Sequence, residues 1–255
     1  MRLKGKTALI SGAGRNNGKA IALKFASEGA NVVLVSRQLE SELRDTAREC
    51  EAYGVKVLSQ LADVSNYENV ELLTSNALER FGNVDILVNV VGIRPHKLPW
   101  EYSCEEWHQV FAVNVHSTFY FAKALAPRMI EHGTGGSIIA LGGLSALTTS
   151  KPTSAGVVAS KHALYGLIKA LAHALGPHNI RANLLALGNI ENKRLNPEWY
   201  ADSGGDPHNA AALKRGALKR WGTQQEVANA ALFLASDESS YITGDRIVCG
   251  GGAAT

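Results

Sequence analysis

The chain begins with an apolar run that stops at a glycine-rich turn and continues at once as a helical segment. The run is Thr7–Ser11, the turn contains Gly12, Gly14 and Gly18, and helix-period residues follow from Lys19. Such a turn lets backbone N–H groups approach an anion, and the dipole of the following helix favours that anion. The segment therefore predicts a phosphate-binding turn; the alternative is a plain glycine-rich connection.

Two asparagines complete this turn, Asn16 and Asn17. Asn16 stands where a third close-approach glycine is expected. Asparagine is the non-glycine residue that best tolerates left-handed backbone angles. The turn is therefore predicted to form with asparagine at position 16.

Short apolar runs alternate with longer helix-period segments along the rest of the chain. The runs lack polar alternation, which is typical of parallel strands covered by helices on both faces. The predicted strands are Thr7–Ser11, Asn31–Val35, Val55–Leu61, Val84–Val90, Ser137–Leu141, Arg181–Ala186 and Arg246–Cys249. The predicted helices are Lys19–Ser27, Leu39–Tyr53, Tyr67–Phe81, Cys104–Ile130, Val157–Leu175 and Gln224–Ala235. This order predicts an α/β fold, a doubly wound parallel sheet that binds ligands at the carboxyl ends of its strands.

Composition fits one dinucleotide-binding domain over residues 1–255, with an active-site cover near residues 188–215. Hydrophobic residues make up 45% and charged residues 19%, a balance that argues against disorder. The formal net charge is +3 and the basic residues are scattered, so no footprint for nucleic acid is present.

Cysteine usage and hydropathy bear on where such a chain works. Cys50, Cys104 and Cys249 lie far apart, so they predict neither a disulfide framework nor a zinc site and fit a reducing cytoplasm. No apolar run is long enough for a signal peptide or a membrane span. A cytoplasmic protein with no membrane partner is the resulting expectation.

The residues after the second predicted strand indicate which dinucleotide binds. NAD-specific sites usually place an acid there, whereas this chain has Ser36 and Arg37, with Arg15 available from the first turn. Two guanidinium groups suit a 2′-phosphate, so NADP(H) is predicted over NAD(H); the alternative is a pair of solvated surface arginines. Asp63, at the end of the third predicted strand, is placed to accept from the adenine amino group, to cap the next helix, or both.

Eight short motifs follow one another in a set order. They are Ser11–Gly18, Ala62–Val64, Asn89–Gly92, Val113–Val115, Gly136–Ile139, Ala159–Lys161, Ile180–Asn183 and Tyr241–Gly244. On these motifs the sequence resembles the short-chain dehydrogenase/reductase family over essentially its whole length. The resemblance implies a Rossmann-like fold of about seven strands, a nicotinamide cofactor and a homo-oligomer, either a tetramer or a dimer.

The resemblance, together with the turn and the arginines, gives a set of expected cofactor contacts. These are Gly12, Gly14, Arg15, Asn16, Asn17, Gly18, Arg37, Asp63, Val64, Asn89, Gly92, Lys161, Gly188 and Ile190.

The chain departs from the family's catalytic pattern. Members typically carry a Tyr-x-x-x-Lys pair, a serine after the fifth strand and an asparagine in the fourth long helix. Lys161 and Asn114 match this pattern, but the tyrosine position is Val157, and a valine cannot move a proton. The serine position falls at a glycine, and Ser145 follows two residues later. Ser145 either swings in to hold a carbonyl oxygen or forms a local hydrogen bond in its loop.

A second Tyr-x-x-x-Lys pair, Tyr165 and Lys169, lies further along the same helix. In the family the catalytic lysine opens a long helix, and Lys169 leaves too few residues for that helix before the next strand. Tyr165 is therefore predicted to be a packing residue of its helix, as an aromatic of intermediate burial, and not a catalytic one.

Three sources can replace the missing tyrosine proton. Lys161 can donate directly if burial and a cationic nicotinamide lower its pKa. His96, in the loop Gly92–Lys97 expected to overhang the substrate, titrates in the right range, with a solvated loop histidine as the alternative. The third source is the substrate itself or a water chain on Asn114 and Lys161. Arg94 in the same loop suits an anionic or enolate-forming substrate, or is a solvated loop charge.

Two function classes follow. The first is an NADP(H)-dependent oxidoreductase for a ketone or secondary alcohol, similar to 3-oxoacyl reductases, with a non-standard proton donor. The second is a non-redox protein of the same fold: a lyase, hydratase or isomerase, or a partner that keeps the dinucleotide for structure. The retained turn and Lys161 favour the first class, whereas the loss of both proton-handling side chains favours the second. In both classes Arg94, His96 and Val157 are predicted to face a small-molecule substrate.

Overall fold

A computed structural model describes residues 1–147, 152–191 and 216–253 of the chain. Seven parallel strands form one sheet in the order β3-β2-β1-β4-β5-β6-β7. The strands are β1 Thr7–Ser11, β2 Asn31–Ser36, β3 Val57–Leu61, β4 Ile86–Asn89, β5 Gly136–Gly143, β6 Ile180–Leu187 and β7 Arg246–Cys249. From residue 192 on, the predicted cover segment lies outside the described residues.

The α-helices of the described residues connect these strands. They are α1 Asn16–Ser27, α2 Glu40–Glu51, α3 Tyr67–Phe81, α4 Cys104–Phe111, α5 Ser117–His132, α6 Ala155–Leu175 and α7 Gln224–Ala235. No helix in these described ranges is long and apolar enough to cross a membrane.

The strand order reverses between β1 and β4. The chain moves outward from β1 to β2 and β3, then returns to place β4 on the other side of β1. Ser11 and Asn89, the last residues of β1 and β4, are direct partners across this junction. Connections leave the two strands in opposite directions there, so a crevice opens at their carboxyl ends.

The helices cover both faces of the sheet. Ile10 of β1 packs in a core with Phe25 of α1, and the preceding residue Leu9 packs on the other face with Phe121 of α5. Both cores are almost fully shielded from solvent, and successive strand side chains point to opposite faces. The predicted doubly wound parallel sheet is therefore confirmed.

One predicted helix is divided in the structure. Instead of a continuous helix over Cys104–Ile130, α4 ends at Phe111, a π-helical turn spans Ala112–His116, and α5 follows. Such turns insert an extra residue into a helix and often occur at functional sites. Hydrophobic periodicity alone does not reveal them, because the apolar face continues across the insertion.

Candidate functional site

The turn after β1 has the backbone that its sequence predicts. Gly12 has a φ of +67° and Asn16 a φ of +50°, so the asparagine adopts the left-handed angle that a glycine would otherwise take. A β-carbon on Gly18 would lie 2.0 Å from the carbonyl oxygen of Gly12, so only glycine fits at the start of the helix. The tight turn brings β1 and α1 together with their backbones in contact.

The N-terminus of α1 is open toward the crevice. Its N-cap residue, Arg15, has an extended backbone and makes no side-chain capping hydrogen bond. The N–H groups of a helix's first turn lack intrahelical partners, so they are available to an anion. The buried Oδ1 atom of Asn17 has no hydrogen-bond partner within the described residues, so it is an acceptor without a donor. A phosphate group with neighbouring ribose hydroxyls fits both requirements.

A cleft of about 320 Å³ extends from this turn toward the ends of β2 and β3. Most of the expected cofactor contacts line it: Gly12, Gly14, Arg15, Asn16, Asn17, Gly18, Arg37, Asp63, Val64 and Gly92. The structure therefore brings residues from four separate segments of the chain to one surface.

Arg37 and Asp63 lie side by side at the far end of this cleft. Arg37 Nη1 is 3.8 Å from Asp63 Oδ2, and both side chains are about half exposed. The other Asp63 oxygen accepts from the backbone N–H and the hydroxyl of Ser65. The helix cap is instead Asn66, which accepts from Asn69 N. The capping alternative for Asp63 is therefore wrong, because α3 begins later than Ser65.

Asn89 does not present its side chain to the cleft. It is buried, accepts a hydrogen bond from Ser11 Oγ, and donates to Ser117 Oγ and Thr118 Oγ1 at 2.8 and 2.7 Å. These bonds tie β4 to β1 and α5, so the Asn89 side chain is engaged within the protein, and its expected contact with a cofactor stays a prediction. The next residue, Val90, lines the cleft instead.

A second cleft of about 230 Å³ adjoins the first and shares Asn17, Val90 and Gly92 with it. Lys161 lines this cleft and is 6% exposed. Its Nζ donates to the carbonyl oxygen of Leu141 at 2.8 Å. Burial, and to a smaller extent the nearby positive charge of Arg94, lower the pKa of Lys161 to about 8. Across the described ranges, no carboxylate pairs with this buried ammonium group.

Asn114 lies in the π-helical turn and supports the loop above the second cleft. Its Nδ2 donates to Ile93 O and to Ser160 Oγ, both at 3.0 Å, and its Oδ1 accepts from Ile93 N at 2.8 Å. Asn114 is 1% exposed. Its amide is thus committed to holding the main chain of Ile93, and it does not line the cleft.

Val157 and Ser145 both line the second cleft. Val157 is buried at the start of α6, and its carbonyl accepts a hydrogen bond from Ser160 Oγ. The hydroxyl oxygen of Ser145 lies 3.4 Å from the point that a β-carbon on Gly143 would occupy. Ser145 therefore brings a hydroxyl beside the position where a side chain on Gly143 would begin.

The loop that carries Arg94 and His96 places them differently. Arg94 is exposed and lines the second cleft, whereas His96 lines neither cleft and its ring nitrogens are buried. The structure therefore does not bring His96 to the site at which a proton would be needed.

Two residues that the sequence did not single out hold this loop. Tyr102 donates from its hydroxyl to Pro95 O at 3.0 Å, and its ring packs edge-on against Trp107. Burial raises the pKa of the Tyr102 hydroxyl, which also accepts from the N–H of Gly156. The feature of the sequence that relates to this contact is Gly156, the glycine immediately before Val157.

Gly188 and Ile190 line the second cleft from the end of β6. A β-carbon on Gly188 would lie 2.7 Å from Gly250 Cα, so glycine is required by the approach of the two chains. Tyr165, in contrast, packs with Lys169 and Arg246, whose cationic groups lie 5.1 and 5.3 Å from its ring centre. This is the packing position that the sequence predicted for Tyr165.

Comparison with known proteins agrees with this geometry. Residues 12–254 match the family model described as enoyl-(acyl carrier protein) reductase. The chain belongs to the short-chain dehydrogenase/reductase family. It is 35% identical over 254 residues to the 3-oxoacyl-[acyl-carrier-protein] reductase FabG of Thermotoga maritima, covering 99% of each chain. It is 32% identical over 256 residues to L-rhamnose 1-dehydrogenase (NAD(P)(+)) of a Sphingomonas species, covering 98% of this chain and 96% of the relative.

Solved structures of the family have the same fold. A short-chain dehydrogenase/reductase from Serratia marcescens superposes with a TM-score of 0.92 at 29% identity, covering all of both chains. Carveol dehydrogenase from Mycobacterium avium, solved with NAD, gives a TM-score of 0.91 at 26% identity and covers 99% of this chain and 98% of its own. These relatives of the chain are oxidoreductases that use NAD or NADP. The chain therefore belongs to a family of oxidoreductases, and its crevice is of the type that binds a dinucleotide.

Proposed function

We propose that this protein is an NADP(H)-dependent oxidoreductase that interconverts a ketone and a secondary alcohol without a catalytic tyrosine. The observation that carries the proposal is the buried Lys161 ammonium, which faces the second cleft and whose pKa burial lowers to about 8. A group with a pKa near the working pH is an effective general acid. Val157, four residues before it, occupies the family's tyrosine position in this proposal.

The two joined clefts fit a nicotinamide dinucleotide. Backbone N–H groups at the start of α1 would hold its pyrophosphate, and Asn17, which lines both clefts, would accept from one of its donors. When bound in reduced form, the cofactor supplies a hydride to the carbonyl carbon. Gly188 and Ile190 would form the wall of the second cleft beside it.

Lys161 completes the reaction in this proposal. Its Nζ gives a proton to the carbonyl oxygen as the carbon gains the hydride, so a secondary alcohol forms and a neutral amine remains. The amine then regains a proton from water. The Leu141 carbonyl accepts one Nζ hydrogen and so fixes the group at the cleft. Ser145 would donate to the same carbonyl oxygen and polarise it.

Preference for NADP(H) rests on Arg37 and Arg15. Both line the first cleft, where their charges can pair with a 2′-phosphate. The Arg37 and Asp63 groups are half exposed and 3.8 Å apart, a contact that contributes about 1 kcal/mol or less, so a phosphate displaces Asp63 readily. Replacing Arg37 by Asp should shift preference toward NADH, measured as the ratio of the two dissociation constants. The matched control, Arg44→Asp on the exposed face of α2, should leave that ratio unchanged.

The reductase proposal is tested by following deuteride from labelled NADPH into activated ketones and diketones. Transfer into the alcohol product supports it. Cofactor binding by titration without any transfer would overturn it. Val157→Tyr is the second arm: because Lys161 already donates the proton, the added tyrosine should change the rate little. A gain of about 10²–10⁴-fold would instead mean that the chain merely lacks its family acid.

A non-redox function is the second candidate, and one observation favours it. Val157 and the glycines at 142 and 143 leave the cleft without the two family hydroxyl groups at those positions. A lyase, an isomerase or a structural dinucleotide-binding partner would need neither. The homo-oligomeric state implied by the resemblance and the cytoplasmic location expected from cysteine usage stay predictions.

A further inference from the structure

The described lining of the second cleft carries two positive charges and no negative one. Arg94 and Lys161 line it together with the polar residues Ser145, Asn17 and Asn189 and with apolar or glycine residues, and no aspartate or glutamate lies among these described lining residues. Both positive charges therefore lie in one small cavity. Such a cavity attracts anions, and its field is strengthened where the walls exclude water.

Among the described residues, the Arg94 guanidinium has no acidic partner that neutralises it. Acidic side chains pair with other cations nearby, for example Glu106 with Lys97, but none forms a salt bridge with Arg94 across the described ranges. Arg94 is exposed at the mouth of the cleft. A ligand can therefore reach it without displacing an existing ion pair or desolvating a buried charge.

The backbone that carries Arg94 is fixed on both sides. Asn114 binds the N–H and the carbonyl of Ile93, and the Tyr102 hydroxyl binds the carbonyl of Pro95. Three hydrogen bonds thus restrain the residues on either side of Arg94. A loop held in this way presents the guanidinium at a defined place relative to Lys161, so less conformational entropy is lost when a ligand binds.

We propose that Arg94 forms a carboxylate subsite and that the substrate is an oxo acid anion, with its carbonyl at Lys161 and its carboxylate at Arg94. This inference rests on the proposed reductase function for its chemistry. A guanidinium binds a carboxylate through two parallel hydrogen bonds, which also orients the neighbouring carbonyl. The substrate class is therefore 2-oxo or 3-oxo acids, in which carboxylate and carbonyl are separated by no more than one carbon.

Paired substrates test the proposal. Reduction of 2-oxobutanoate is compared with that of its methyl ester, and reduction of acetoacetate with that of methyl acetoacetate. Each pair shares one carbonyl chain and differs in charge. The free acids should be favoured in kcat/KM by about 10- to 100-fold, the range expected for a charge-assisted bidentate contact. Esters reduced equally well or better would overturn the carboxylate subsite and leave the reductase function standing.

Two variants of the same loop locate the effect. Arg94→Gln should abolish the preference for the acids, measured as the ratio of kcat/KM for each acid to kcat/KM for its ester. Lys97→Gln removes the same charge from the same loop, but its Nζ pairs with Glu106 outside the cleft, so the preference should persist. An equal loss of preference in both variants would mean a diffuse loop charge and would contradict a subsite at Arg94.

A binding measurement separates this inference from the proposed function. Oxamate, an unreactive analogue of a 2-oxo acid, is titrated by calorimetry into the protein saturated with NADPH. Binding that weakens at least tenfold in Arg94→Gln supports the subsite even if no substrate is reduced, and in that case only the redox proposal fails. Oxamate binding that is absent, or equal in wild type and Arg94→Gln, overturns the subsite.

Discussion

The hydroxyl oxygen of Tyr102 lies 3.0 Å from the point that a β-carbon on Gly156 would occupy. The tyrosine therefore fits against the start of α6 because residue 156 has no side chain. Tyr102 also donates to Pro95 O, so it connects the Arg94 loop to the helix that carries Val157 and Lys161. The Tyr102 side chain thus joins the loop that carries Arg94 to the helix that carries Lys161.

Tyr102→Phe should weaken the attachment of the Arg94 loop to α6 without changing a residue that lines either cleft. Loss of the hydroxyl leaves the Pro95 carbonyl and the Gly156 N–H without their shared partner, which costs about 1 kcal/mol of unfolding free energy. The KM for the substrate should rise several-fold, while the dissociation constant for NADPH stays constant. Steady-state kinetics and urea unfolding measure both effects. Tyr241→Phe, at a fully exposed tyrosine, is the matched control, and a rise in KM there as well would contradict the positioning role.

Gly18→Ala should abolish dinucleotide binding. The new β-carbon would lie 2.0 Å from Gly12 O, so β1 and α1 must separate and the helix N-terminus moves away from the turn. Fluorescence titration with NADPH measures the loss, and urea unfolding should show a lower free energy of unfolding. Gly166→Ala is the control, because nothing lies within 4 Å of its added β-carbon. That substitution in mid-helix should keep cofactor affinity and raise stability by up to about 1 kcal/mol. Equal NADPH affinity in Gly18→Ala and wild type would refute the role of the turn.

The sequence predicted the sheet, its two helical layers and the backbone of the glycine-rich turn after β1, because those features depend on local patterns. Runs such as Asn31–Val35 are buried on both faces and show it by lacking polar alternation. The positive φ of Asn16 was also predictable, since few residue types tolerate that angle.

Other features depend on contacts between distant segments, which one sequence does not display. The hydrogen bonds between Asn114 and Ile93 join positions 21 residues apart. The π-helical turn that contains Asn114 does not change the spacing of apolar residues, so hydrophobic periodicity does not reveal it. The same reasoning explains His96. Its loop was predicted to overhang the substrate, but the Tyr102 contact fixes the backbone so that Arg94 lines the cleft and His96 does not.

The rate of carbonyl reduction should depend on pH through Lys161. Its pKa in the folded protein is about 8, lowered first by burial and then by Arg94. Only the protonated amine can donate, so kcat/KM for a neutral diketone should be level below that pH and fall tenfold per pH unit above it. Arg94→Gln removes a like charge, which favours the ammonium form, so the midpoint should move to higher pH. Lys97→Gln should leave the midpoint in place. A pH profile whose midpoint is the same in Arg94→Gln and wild type would contradict Lys161 as the donor. So would a profile that does not fall above pH 8.

Replacing Lys161 by Met should stabilise the protein while it removes activity. The folded pKa, about 8, lies below the ordinary lysine value of 10.5, so the unfolded chain binds more protons between these two pH values. The buried charge therefore costs stability in full below about pH 8, and the cost disappears as pH rises through 10.5. At about 1.4 kcal/mol per pKa unit, the cost is a few kcal/mol. Methionine has a similar shape and no charge, so Lys161→Met removes most of it.

Urea unfolding at pH 7 and at pH 10.5 checks this sign. The variant should have the higher unfolding free energy at pH 7, and its advantage over wild type should shrink at the higher pH, where Lys161 is neutral in the folded chain and about half deprotonated in the unfolded chain. The comparison between variant and wild type cancels the titration of the other lysines and the tyrosines. Lys169→Met, on an exposed part of the same helix, should show no such pH-dependent difference. If Lys161→Met were less stable than wild type at pH 7, the bond to Leu141 O would outweigh the burial of the charge, and the lowered pKa on which the proton transfer depends would be refuted.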